Sequence, residues 1–153
     1  MDDKNFFQGD VLLVSTPDDG DIVLEDGLIQ DCRNFDTAAY LSLFGGNEDD
    51  LNGKSKETWW GNLIPGTKRN EWMQSEFGST VAGFPLTGSN LRKAGDAAAR
   101  DLDWIKGDAG ADGVSVSLSA ENAKRVKLVL DVTKDAATVA GGAYEFQWNE
   151  AVR

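Results

Sequence analysis

Two glutamates, Glu57 and Glu71, stand next to tryptophans in the stretches ETWWGN (57–62) and NEWM (70–73). A carboxyl group held against an indole loses hydration, so its charged form is disfavoured and its pKa rises. Two carboxylates about 5–10 Å apart, one of them raised, are the machinery of glycoside hydrolysis. That is the acid–base chemistry this composition leaves open. The chain has no histidine, so the commonest proton shuttle and metal ligand are both missing, and triads and zinc hydrolases with them. Cys32 is alone, which rules out an internal disulfide or a cysteine-based metal site and predicts a small buried or half-buried thiol.

The carboxylates themselves are a weak signal. With 26 acidic residues in 153, accidental pairs are guaranteed, and a solvated acidic face is the simpler reading. The clusters PDDGD (17–21) and NEDD (47–50) offer oxygen ligands suited to a hard cation, yet neither fits the twelve-residue calcium loop. The run GDAGADG (107–113) follows a helical pattern instead of opening one, so it reads as a C-cap and turn, not a phosphate loop. No catalytic residue, cofactor or metal is therefore expected, and the chain is read as a non-enzyme.

A formal charge of -11 argues against nucleic acid and anionic membranes as partners, because phosphates are bound by clustered Lys and Arg. The sequence has no run of 18 apolar residues, and MDDKNFFQGD is acidic where a signal peptide is basic. Synthesis and retention in a cytoplasm are expected.

The aromatic residues point elsewhere. Trp59, Trp60 and Trp72 fall within fourteen residues, and an indole buries about 150–250 Å². At about 25 cal/mol per Å² that is roughly 4–6 kcal/mol per ring as an upper bound, enough for one residue to anchor an interface. Adjacent side chains diverge by about a quarter turn on a helix and oppose one another on a strand, so one core rarely takes both Trp59 and Trp60. One ring is expected to close the loop onto its own domain and the other to meet a neighbour.

The length and the 41% hydrophobic content predict one domain over 1–153. VLLV (11–14) and IVLEDGLI (22–29) read as short strands, with Asp26-Gly27 as a hairpin turn. FDTAAYLSLFGG predicts a short helix from Asp36 to the Gly45-Gly46 stop. Residues 45–70 read as a loop-rich insertion, and NEWMQSEFG as one or two helical turns ending at Gly78. A long helix capped by Thr87 or Ser89 carries the stripe Leu91, Ala94, Ala98, Leu102 and Ile105. Three alternating segments follow, at 114–118, 125–132 and 143–148; Val126, Leu128, Leu130 and Val132 share one face of the second, and Tyr144, Phe146 and Trp148 one face of the third. The expected fold is α+β: an antiparallel C-terminal β-meander packed on one long helix, with an N-terminal β-hairpin region and a short helix.

The order of these features resembles the baseplate protein family of Mu-like contractile-tail phages, related to the T4-type baseplate wedge protein that acts as sheath initiator. The segments are GDIVLEDGLIQD (20–31), TAAYLSLF (37–44), TWWGN (58–62), FGSTVAGFPLT (77–87), AARDLDWIKGDAGADGVSVS (98–117) and AYEFQWNEA (143–151). Together they span nearly the whole chain. The resemblance implies a structural subunit of the virion, assembled in the host cytoplasm. It would be monomeric alone and six-fold in the particle, contacting wedge proteins, the sheath protein, and tube or hub proteins. It also implies strand exchange with the sheath, for which AYEFQW is the candidate segment, adding Tyr144, Phe146 and Trp148 to the tryptophans as partner-binding residues. The chain departs from the family at Thr80, Val81 and Ala82, where relatives often carry Arg and then Leu-Trp. It also lacks the Glu-Pro-Arg signature of the T4-type proteins. Some relatives are labelled lysozyme-like, but no catalytic residue of that activity maps onto this chain.

Overall fold

The computed structural model describes residues 10–15, 20–32, 36–47, 49, 59–107 and 110–148. Glu57 and the side chains of Cys32 and Trp60 lie outside the described residues.

The N-terminal unit is built from three short extended segments that share one another's edges. β1 (Asp10–Val11) and β2 (Leu13–Ser15) belong to the first, β3 (Gly20–Ile22) and β4 (Leu24–Glu25) to the second, β5 (Leu28–Ile29) and β6 (Asp31–Cys32) to the third. β1 pairs with β6, β2 with β3 and β4 with β5, all antiparallel. Where the pairing changes hands, one residue of each segment joins a closed ring of backbone hydrogen bonds. Leu12 N donates to Gln30 O at 2.9 Å, Gln30 N to Val23 O at 2.9 Å, and Val23 N to Leu12 O at 3.1 Å. The expected Asp-Gly turn is present, with φ of 52° at Asp26 and 76° at Gly27, as a two-residue hairpin of this hand demands. Sequence pattern predicted a hairpin but not the ring, because each pairing involves only two or three residues.

Helix α1 (Asp36–Phe44) follows as expected and is tied to the N-terminal unit by Thr37, whose hydroxyl donates to Val11 O at 2.7 Å. Helix α2 (Glu76–Gly83) corrects the sequence reading: it starts at the Ser75 N-cap and runs through Gly78 instead of stopping there. Gly78 is in the helix because α1 and α2 approach closely. A Cβ there would sit 3.1 Å from Leu43 O and 3.0 Å from Ser75 Oγ. Thr87, not Ser89, caps α3 (Gly88–Asp101), accepting from Asn90 N at 3.2 Å. The long helix is interrupted: Leu102 leaves helical geometry at φ -101°, ψ 1°, and a single further turn forms α4 (Trp104–Gly107).

The C-terminal sheet has the order β7 (Gly113–Ala120), β8 (Arg125–Lys134), β9 (Ala137–Gln147), antiparallel throughout. β9 begins well before the predicted 143, because a tight turn with positive φ at Asp135 and Ala136 returns the chain immediately and pairs the Gly- and Ala-rich stretch 137–143. That stretch lacks the alternation that marks a strand in sequence. The inner face of β8 (Val126, Leu128, Leu130, Val132) is buried with Ala94, Ala97 and Ala98 of α3. Phe77 sits at the centre, fully buried, with edge-on rings of Phe44 and Phe146 at 5.4 and 5.5 Å.

Candidate functional site

The predicted partner-binding residues separate into two groups. Trp59 and Trp72 come together with Trp104, which sequence reading passed over, around a cleft of about 840 Å³. Its walls come from α1 (Ala38, Ser42), the 59–75 region, the start of α2 (Glu76), the end of α3 (Arg100, Asp101) and α4. Trp104 could have been found from its place beside a helix break, where an indole is carried off the helix stripe.

The 59–75 region is irregular but firmly tied. Asn62 in the 3-10 turn Trp60–Leu63 is buried, and its amide mimics a strand pair, donating to Met73 O at 3.0 Å and accepting from Met73 N at 2.9 Å. Ser75 N donates to Gly46 O at 2.9 Å, and the Ser75 hydroxyl bridges Leu43 O and Gly78 N. These bonds satisfy backbone groups that a buried loop would otherwise strand. Trp72 lies under the Arg69 guanidinium, 5.3 Å from the ring centroid, and Arg69 is paired with Asp49, which also accepts from Gln74 at 2.8 Å. Those two donors hold the exposed Asp49 carboxyl below the usual carboxylate range. Trp104 Nε1 donates to Ser42 Oγ at 3.0 Å, whereas the buried Trp72 Nε1 has no hydrogen-bond partner among the described residues.

The Trp-Trp-Gly stretch acquires a physical reason. Trp59 is half-buried and folds back over Gly61, so a Cβ at Gly61 would lie inside the indole ring. Its φ is unremarkable, and glycine is needed here for space alone. Gly61→Ala is expected to displace the indole, lower stability by about 1–3 kcal/mol as overpacking does, and shift the tryptophan emission maximum. Unchanged emission and stability would mean that the ring does not rest on Gly61.

Among the described residues Asp101 is the one carboxyl at the cleft with a raised pKa, about 6 against a usual 3.8. Burial raises it, outweighing the hydrogen bonds it accepts from Phe77 N at 2.8 Å and Glu76 N at 3.1 Å. The adjacent Glu76 charge adds to the rise, and Arg100, which pairs with Glu76 at 2.6 Å, opposes it. Asp101 thus caps the N-terminus of α2 from the end of α3. A folded pKa above the unfolded one means that the native state binds the proton more tightly. This contribution is fully present below pH 4 and is lost as pH rises through about 6. Stability at pH 4 should exceed that at pH 7 by on the order of 2 kcal/mol from this group. Asp101→Asn should remove that slope while keeping one acceptor for α2; a slope unchanged in the variant would assign it to other acids.

Glu71, the other glutamate singled out from sequence, is exposed, and its carboxylate accepts from Lys68 N at 2.8 Å. It closes a 3-10 turn (Arg69–Glu71) and is turned to a capping task.

The second predicted group, Tyr144, Phe146 and Trp148, lies apart from this cleft. Trp148 is a core residue, 4% exposed, with Nε1 donating to Phe84 O at 2.6 Å and its backbone N to Lys124 O at 2.7 Å. Tyr144 and Phe146 pack against the same core and are half-buried. The helices fill the face of β9 that the aromatic alternation marks, so these rings are spent on the chain's own interior. What β9 presents outward is its backbone, as an edge strand of the sheet. Comparison with protein families, with curated proteins and with solved structures finds no match to this chain.

Proposed function

We propose that the chain is a structural subunit of a contractile-tail baseplate, in a phage or a phage-derived particle. It would join wedge proteins and initiate or anchor the tail sheath. The observation that carries the reading is β9, an eleven-residue strand at the edge of a sheet backed by a packed core. Edge strands template a further strand through their backbone groups, and strand addition is what the resemblance to sheath initiators implies. The same resemblance supports one of Trp59 and Trp60 as a contact to a wedge protein. Tails assembled without this chain are expected to carry a tube and baseplate fragments but no sheath, and complementation should restore the sheath. Sheathed tails in its absence, seen by electron microscopy, refute the proposal.

One observation favours a second reading, a carboxylate-dependent peptidoglycan hydrolase: a raised Asp101 beside three indoles in an open cleft. Both of its oxygens already accept backbone N–H bonds, which argues for capping instead. Release of soluble muropeptides from cell-wall fragments, abolished by Asp101→Asn, would favour the hydrolase.

A further inference from the structure

The N-terminal unit carries an aliphatic surface that the other described residues leave open. Leu24, Leu28 and Ile29 are 65, 69 and 59% exposed. Leu24 faces Ile29 across the β4–β5 pair, and Glu25 faces Leu28. Successive pairs on a ladder lie on opposite faces, so this hairpin shows aliphatic side chains to solvent on both. Two-stranded hairpins are marginal in water, yet this one is held at its tip by the Asp26-Gly27 turn and at its base by the ring of Leu12, Val23 and Gln30. Its shape is set before anything covers it.

The charge around it defines what can. From Asp10 to Cys32 there is no lysine or arginine, while Asp21, Glu25, Asp26 and Asp31 fall within 20–32. A second copy would bring the same acids against these, and an anionic bilayer would repel them as well. We propose that the β4–β5 hairpin docks into an apolar groove rimmed by lysine and arginine on a different protein chain. That the chain is a neighbouring tail subunit rests on the baseplate reading; the recognition chemistry rests on the hairpin. Burial of Leu24 and Ile29 would supply the attraction, and the exposed Glu25 and Asp26 carboxylates the choice of partner.

The test places a photoreactive phenylalanine derivative at position 28 of the full chain and reads crosslinks in purified tail particles and in the soluble fraction of the producing cells. A crosslink to a different chain, in a segment containing Lys or Arg, is expected. Its yield should fall on the order of tenfold, equivalent to about 1.4 kcal/mol, with Leu24→Ser plus Ile29→Ser at an unchanged melting temperature. It should also fall with Glu25→Lys, an exposed charge reversal that keeps every apolar group. A crosslink between two copies, or a yield indifferent to Glu25→Lys, overturns the inference. So does the absence of any crosslink in particles that contain the chain, an outcome that leaves the baseplate reading standing. A chain missing from particles but crosslinked in the soluble fraction with the same charge dependence overturns the baseplate reading and keeps the docking site. Absence from particles together with no crosslink in either fraction refutes both.

Discussion

Trp148→Ala is expected to lower the unfolding free energy by about 3–5 kcal/mol, the range for removing a buried aromatic side chain. The indole is 4% exposed, closes the core beyond the end of β9, and ties that end to the C-terminus of α2 through Phe84 O. Removing it leaves a cavity against the buried cluster and frees two elements that are distant in sequence from each other. For a domain with a few kcal/mol to spare this is a large fraction of the total. Trp148→Phe separates the contributions, since it keeps most of the volume and loses the hydrogen bond; a cost of about 1 kcal/mol is expected for that step. Denaturant unfolding at fixed pH measures both. A Trp148→Ala variant as stable as the parent would undo its assignment to the core.

Asn62→Ala is the second large effect. The Asn62 amide is buried and makes both bonds of a strand-like pair with Met73, so its loss leaves one donor and one acceptor of Met73 without that partner. Each stranded group costs about 1–3 kcal/mol, and a total of about 2–6 kcal/mol is expected. Asn62→Asp sharpens the argument: it keeps an acceptor for Met73 N but sets a carboxylate against Met73 O, and it should be at least as destabilising. Hydrogen exchange at Met73 should accelerate in both variants well before global unfolding, because the bond holds a local segment to the domain. Equal protection of Met73 in parent and variant would show that the loop is held by other contacts. The consequence for function is direct, since the same segment carries Trp59 and Trp72 to the cleft.

The carboxylates illustrate how a chemical signal in sequence can move when the chain folds. Glu71 was marked by its neighbour Trp72, yet it ends exposed and bonded to Lys68 N. The raised carboxyl is Asp101, which no local pattern distinguishes from other helix acids. Its burial comes from α2, twenty-five residues earlier, whose first N–H groups it caps. Local sequence reports a residue's neighbours in the chain, whereas a pKa reports its neighbours in space.

The sequence by itself determined the α+β class, the Asp-Gly hairpin turn, α1, the body of α3 and the buried face of β8. Each of these rests on a period or a turn residue that acts within a few positions, so the information is local and readable. Only tertiary structure decided that the three N-terminal segments close on one another, that α2 continues past Gly78, and that Thr138 to Gly142 belong to β9. It also decided that Tyr144, Phe146 and Trp148 face inward, since alternation marks one face of a strand as apolar but not what covers it. Trp59 needs Gly61 beside it for the same reason: the space an indole occupies is set by how the backbone folds beneath it.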